Sequence, residues 1–387
     1  MFGRDVVIAG IHATEQGAHL DHRTSADLIV EAVRGALADA CIDRHEVDGA
    51  AVEWPGPGGG RFDGATWARL LGTPMRWVSG DGMDASGIRG ITKAAAAIAS
   101  GCCDVAIVGG GRAGPWSLDG RAVGSELGHE FSDTWGAFVP AHFAFVAQRH
   151  MHVFGTTSEQ LATVAATIRN HGHANPEAVM FGRGPYTADD VLASRLIASP
   201  FHLLDLCLVA EGGAAVVLTT AERARDLPKP AISLLGLATE ARGVSYANPA
   251  RLEEVRELGR SVAARAFGEA GVAPMDVDVF SLYDPNSFEI LHQLELLGLC
   301  ADGEGAALVG DGRAIGPDGA HPVNLDGGTL SYSWNGHQQM TLKIIDCVRQ
   351  LRGEAAVHQL ASPEVAVATN AGSAAQHYEM AVLGRSR

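Results

Sequence analysis

Short β-branched runs alternate with longer stretches of helical period along this chain, which is the pattern of an α/β protein. Val6 to His12 (VVIAGIH) has the length and composition of a buried strand. Thr24-Ser25 caps a helix predicted over Ala26 to Ala40, where Leu28, Ile29, Ala32, Val33 and Leu37 recur at helical spacing. Val47 to Val52 reads as a second strand, Ile91 to Ser100 as an Ala-rich helix, and Asp104 to Gly110 (DVAIVGG) as a strand ending in glycines. The order then returns: a strand at Ala231 to Ala238, a helix at Glu253 to Ala270, a strand at Val277 to Tyr283, a helix around Met340 to Leu351 and a strand at Glu364 to Ala368. A unit that occurs twice fixes the architecture. It divides the chain into similar halves at residues 1–225 and 230–387, joined by DLPKP at 226–230. Residues 112–200, with a helix around Ala141 to His152 and the segment HGHANP at 171–176, break the pattern and read as a loop domain inserted in the first half. Asp205 to Leu218 returns to the core.

A length of 387 residues suits two or three such units, and the richness in Gly and Ala suits helices lying close on sheets. The net charge of −16 argues against a nucleic-acid partner, because phosphate binding needs clustered Lys and Arg. Six cysteines (Cys41, Cys102, Cys103, Cys207, Cys300 and Cys347) fit neither a zinc ribbon nor a disulfide framework and read as free thiols of a cytoplasmic protein. MFGRDVVIAG carries no secretory h-region, and no apolar run reaches the ~20 residues that span a bilayer. His171 and His173 lack the Cys or Asp pattern of a metal site, and GPGGG at 56–60 lacks the Lys of a phosphate loop, so neither a metal nor a cofactor is expected.

The chemistry concentrates at Asn324 to Gln339, NLDGGTLSYSWNGHQQ. Gly327-Gly328 allows backbone angles that other residues avoid and brings N–H groups close to a ligand. Ser331, Tyr332, Ser333, Trp334, Asn335 and His337 follow at once. Tyr283 and Asp284 close the strand of the second half, and Asn370-Ala371-Gly372 follows its last strand.

In order and spacing these pieces resemble the thiolase superfamily, in its sterol-carrier-protein-X and lipid-transfer-protein branch. They are ASG before an Ala-rich helix and DVAIVGGG, RHMHVFGTTSEQLA at 149–162, NP at 175–176, LDLCLVAEGGAAVVL at 204–218, YDPNSF at 283–288, LELLGLCADGEG at 294–305, NLDGG at 324–328 and VRQLRGEA at 348–355. The resemblance implies a five-layered α-β-α-β-α sandwich of two halves with the active site between them, and a homodimer. The family's catalytic identities are missing. Asp84 stands where thiolases place the nucleophilic cysteine before ASG, and a carboxylate forms no thioester intermediate. No cysteine follows Cys347. Trp334 aligns with one version of the family histidine and His337 with a shifted one.

Steroid side-chain retro-aldolases, a branch with the thiolase fold but not its cysteine, are similar at two positions. They cleave a β-hydroxyacyl-CoA into a ketone and a shorter acyl-CoA such as propionyl-CoA, and are thought to use two tyrosines. Tyr283 and Tyr332 match those positions in a chain of only five tyrosines. Retro-aldol cleavage needs a base for the hydroxyl proton, a stabiliser for the thioester enolate and an acid for its carbon. Either tyrosine suits base or acid. N–H groups at Gly327-Gly328 or at Asn370 to Gly372 suit the oxyanion hole, each donor being worth roughly 3–4 kcal/mol. His337 and Asp84 are further catalytic candidates, as base, acid or tuner of a tyrosine. Asp284, Asn286, Gly327, Gly328, Trp334 and Gly372 are candidate substrate contacts. Rival expectations are an acyltransferase or condensing subunit, against which the absent cysteine counts, and a silent lipid- or acyl-CoA-binding scaffold. The resemblance also implies a separate OB-fold, zinc-ribbon partner chain and an active heterotetramer.

Overall fold

The computed structural model describes residues 5–52, 64–79, 87–114, 138–242, 250–336 and 339–386. In chain order the first half contains β1 (Val6–Ala13), α1 (Ser25–Ala40), β2 (Gly49–Val52), α2 (Gly64–Leu71), β3 (Trp77–Val78), α3 (Gly87–Ala99) and β4 (Val105–Arg112). Helices α4 (Val139–Phe154), α5 (Ser158–Ala174) and α6 (Ala188–Ala193) and the ribbon β5 (Leu196–Ala198) and β6 (Phe201–His202) come next, before β7 (Gly212–Thr220) and α7 (Ala221–Ala224). The second half has β8 (Ile232–Ala241), α8 (Leu252–Ala270), β9 (Val279–Ser281), α9 (Ser287–Leu296), α10 (Gly305–Val309), α11 (Gly328–Ser331), α12 (Gln339–Arg352), β10 (Val365–Asn370), α13 (Gly372–Ala375) and β11 (His377–Arg385).

Local signals set several of these boundaries. The Thr24 side chain accepts from Asp27 N, and the Asp27 carboxylate accepts from Thr24 N, closing a capping box at α1. The segment HGHA, placed from sequence in the inserted loop domain, completes α5, whose own box is Thr157 with Gln160. The strand β11 was not anticipated from sequence. It pairs antiparallel with both β8 and β10, as β7 does with β1 and β4. That correspondence completes the twofold repeat.

Nine strands run in the order β3-β2-β4-β7-β1-β8-β11-β10-β9. The half-sheets meet where β1 pairs antiparallel with β8 over only two positions, Val7 opposite Ser233 and Ile8 opposite Ile232. Helix α1 covers β1, β4 and β7 from outside, and α8 covers β8 and β11. Between the half-sheets lie α3 and α12, each packed on strands of both halves. The expected five layers are present, with the two half-sheets joined edge to edge.

Glycine and alanine make the layers thin, and they do so twice. A Cβ on Gly10 of β1 would stand 2.2 Å from Ala36 O of α1. A Cβ on Gly236 of β8 would stand 2.1 Å from Ala266 O of α8. Arg352, at the end of α12, ties the halves together with a fully buried guanidinium. It donates to Asp39 Oδ2 (2.7 Å), Ala9 O (2.8 Å) and Pro230 O (2.9 Å).

Candidate active site

Strands β9 and β10 are parallel neighbours, so the residues that follow each of them emerge side by side. The Tyr283 N–H donates to Thr369 Oγ1 (3.2 Å), and Gln293 Nε2 donates to Tyr283 O (2.6 Å). Thr369 Oγ1–H in turn donates to Gln293 Oε1 (2.5 Å). This clamp fixes the Tyr283 main chain beside the Asn370–Gly372 turn. The side chain of Tyr283 is buried to within 7 %.

The NLDGG segment is laced to the same strand end. Asn324 N donates to Phe280 O, while its side chain accepts from Leu282 N (2.7 Å) and donates to Leu282 O (2.9 Å). The next contact is made by Asp284, which is fully buried. Its Oδ1 accepts from Thr329 N (2.8 Å), Thr329 Oγ1 (3.0 Å) and Lys343 Nζ (3.0 Å), and its Oδ2 accepts from Leu330 N (3.2 Å). Asp284 therefore holds the loop and does not present its carboxylate to a substrate.

Of the expected substrate contacts, Asp284, Gly327 and Gly328 have their polar groups engaged within the loop, whereas the buried Asn286 keeps an unpartnered Nδ2. Asn286 is the N-cap of α9, its side chain accepting from Glu289 N, and it is buried. The Gly327 N–H goes to Asn324 O (2.9 Å) and the Gly328 N–H to Asp326 Oδ1 (2.8 Å), so neither is available for an oxyanion. The glycines are needed because the chain is crowded. At Gly328, where φ is +58°, a Cβ would stand 2.1 Å from Asp284 Oδ2. At Gly327, where φ is +109°, it would stand 2.6 Å from Gly172 Cα. Trp334 is half-buried, with its carbonyl accepting from Ala210 N. Gly372 opens α13, and a Cβ there would meet His377 Nε2 at 2.0 Å.

Tyr332 is buried at the end of α11. It lines a cavity of about 10 Å³ with Asn175, Asp326, Leu342, Ile345, Asp346, Arg349 and His358. Burial raises the Tyr332 phenol above its ordinary range; the Arg349 guanidinium opposes this, and Glu177, Asp326 and Asp346 reinforce it. The residue is thus held protonated. Burial and the charge of Asp346 push Asp326 up to about 6. Asp84, His337 and the GPGGG stretch lie outside the described residues.

Sequence reasoning gave no site role to Lys343, Asp346, Arg349 or His358. Lys343, Asp346 and Arg349 recur every three residues along α12, which places three charges on one face of a helix that is almost wholly buried. That juxtaposition was the available signal. His171 was also passed over as a site element. Its Nδ1 lies 3.1 Å from Asn324 O, and loss of water around the ring pushes the imidazole down to about 4. Among the described residues no three His, Cys, Asp or Glu side chains gather as a metal site. Four of the cysteines carry no activated thiolate: burial pushes Cys103 and Cys207 up to about 12 and Cys300 up to about 11, and it raises Cys347 as well.

The model of the family described as thiolase C-terminal domain-like matches residues 245–385. The chain is 33 % identical to a steroid side-chain-cleaving aldolase of Thermomonospora curvata, over 89 % of this chain and 90 % of that protein. It is also 33 % identical to the 17-hydroxy-3-oxo-4-pregnene-20-carboxyl-CoA lyase of Mycobacterium tuberculosis, over 91 % and 93 %. Among solved structures, the Ltp2-ChsH2(DUF35) aldolase superposes with a TM-score of 0.82 at 30 % identity, covering 100 % of this chain and 99 % of that one. The chain belongs to the thiolase superfamily, in the branch of the steroid side-chain-cleaving aldolases.

Proposed function

We propose that the protein cleaves a β-hydroxyacyl-CoA with a bulky, steroid-type acyl group into a ketone and a short acyl-CoA such as propionyl-CoA. The observation that carries this reading is the 33 % identity, across nearly the whole chain, to a steroid side-chain-cleaving aldolase. The enzyme is an aldolase-type lyase and not a true thiolase, in keeping with the raised thiols of the buried Cys103 and Cys207.

The roles divide by environment. Tyr332, held neutral by burial, suits the acid that protonates the enolate carbon. Tyr283, clamped through its main chain at the end of β9, is then left as the base that takes the β-hydroxyl proton. The N–H groups of the Gly327-Gly328 turn are engaged internally, so the Asn370–Gly372 turn is the better oxyanion hole. Coenzyme A enters as part of the substrate, and no further cofactor takes part. Asp84, His337 and Trp334 stay candidates for the wall and the acid–base set of the same site.

We further propose a cytoplasmic homodimer that works with a separate OB-fold, zinc-ribbon chain as a heterotetramer. The partner-bearing name of the similar solved structure supports a second chain. Among the described residues no helix is long and apolar enough to cross a membrane. Mass spectrometry of products from a branched β-hydroxyacyl-CoA, with and without such a partner, tests the reading. Ketone and short acyl-CoA are expected; a bound but unconsumed substrate would replace the aldolase with a scaffold, and full turnover by the isolated chain would remove the partner requirement.

A further inference from the structure

The cavity beside Tyr332 has the volume of a single water molecule, and Asn175, Asp326, Asp346, Arg349 and His358 share its lining with the apolar Leu342 and Ile345. Asp346 lies on α12 with its side chain 4 % exposed; its Oδ1 is 3.3 Å from His358 Nε2, and its Oδ2 has no hydrogen-bond partner. Asp326, on the turn, is buried, and its Oδ1 accepts from Gly328 N. His358 follows α12 with its side chain 11 % exposed, its Nδ1 unpartnered. The other charged or titratable groups around the phenol are Arg349 and Lys343 of α12, Glu177 after α5, and His171 of α5, which faces His358.

Two of these charges are already matched, Lys343 by Asp284 and Arg349 by Glu177. That leaves the Asp326 and Asp346 carboxyls beside the His358 imidazole, which burial would lower but their charge and the Asp346 contact raise above its ordinary value. Of the two carboxyls, Asp326 is the one pushed up, to about 6, by burial and the neighbouring charge of Asp346.

We propose that Asp326, Asp346 and His358 form a proton relay that reloads Tyr332 through the water-sized cavity. This rests on the aldolase reading. In the step, the Tyr332 O–H bond breaks as a C–H bond forms at the α-carbon of the enolate. The phenolate takes a proton from a water in the cavity, and that water takes one from the Asp326–Asp346 pair. His358 returns a proton to the pair from solvent. The proton that Tyr283 removes from the β-hydroxyl leaves to solvent, so the cycle balances. Asp326, Asp346 and His358 act through Tyr332 and are positioning residues.

The test compares the wild-type heterotetramer with Asp346→Asn, Asp326→Asn and His358→Gln. It measures the pH profile of kcat with a branched β-hydroxyacyl-CoA, and deuterium wash-in at the α-carbon of propionyl-CoA. Asp346→Asn is expected to lower both rates roughly 10–100-fold with KM within twofold. It should also move the alkaline limb of kcat to lower pH, because the charge that holds the proton on Asp326 is gone. Difference infrared spectra of the wild-type protein near pH 6 should show a protonated carboxyl band that Asp326→Asn removes, whether or not substrate turns over. Folded variants with the wild-type rate and pH profile, or a wild type without that band, overturn the relay and leave the aldolase intact. A wild type that shows the band but consumes no substrate overturns the aldolase reading and, with it, the relay's catalytic role.

Discussion

Lys343 Nζ stands 3.0 Å from Asp284 Oδ1, with both side chains almost wholly out of water. Between them they fasten the start of α11 to the end of β9, since the same carboxylate also accepts from Thr329 and Leu330 N–H. Breaking a buried pair from one side strands the other charge at a cost of about 3–5 kcal/mol. Lys343→Met should lose about that much in urea denaturation. The double variant Lys343→Met/Asp284→Asn should recover part of it; equal losses in the two would show that the pair does not couple.

Gly328→Ala adds a Cβ 2.1 Å from Asp284 Oδ2 at a backbone φ of +58°. The turn has to move, at a cost of about 1–3 kcal/mol, and Tyr332 moves with it. Activity should fall on the order of 10²-fold in a protein whose circular dichroism is unchanged. Wild-type activity in the variant would mean that the turn does not set the position of Tyr332.

Tyr283→Phe and Tyr332→Phe should each lower cleavage by about 10²–10⁴-fold, the range for loss of a general acid or base. Only Tyr332→Phe should also abolish deuterium wash-in to propionyl-CoA, because that exchange needs the acid at the α-carbon. Loss in neither variant would return both residues to packing.

His171 predicts a pH effect on stability. Its folded pKa, about 4, lies below the unfolded 6.5, so the folded state binds fewer protons between those values. The contribution is complete above pH 6.5 and is lost as pH falls towards 4. Asp326, raised to about 6, runs the other way and gains stability as pH falls through 6. Comparing wild type with His171→Asn isolates the first term. The stability gap between them should narrow by about 1–2 kcal/mol from pH 7 to pH 5, allowing for the ring's partial exposure; a constant gap would contradict it.

Cys41 and Cys102 are exposed, while the thiols of Cys103, Cys207, Cys300 and Cys347 are held protonated. Iodoacetamide at neutral pH should modify the first two, as read by intact mass, and leave cleavage unchanged. Inactivation in step with a single alkylation would point to a thiol in the reaction.

The repeat and most of its strands were legible because burial on a sheet demands β-branched runs, and these stand out between Gly- and Ala-rich helices. The strand β11 was not, since HYEMAVLGR mixes long polar and apolar residues and takes its place only from its neighbours β8 and β10. The two tyrosines and the glycine turn could be found because glycine crowding and scarce tyrosine leave a mark in one dimension. The role of Asp284 could not. Whether a carboxylate faces a ligand or a lysine 59 positions away depends on how α12 lies against β9. The cluster of Asp326, Asp346 and His358 hid for the same reason, its members coming from a turn, a helix and the loop after it.

The buried guanidinium of Arg352 reaches from the last inner helix to Ala9, Asp39 and Pro230. A chain that reads as one unit written twice has thereby given up its divisibility. Each half leaves part of its hydrogen bonding to the other, so fragments cut at the 226–230 linker are expected to fold together and not singly.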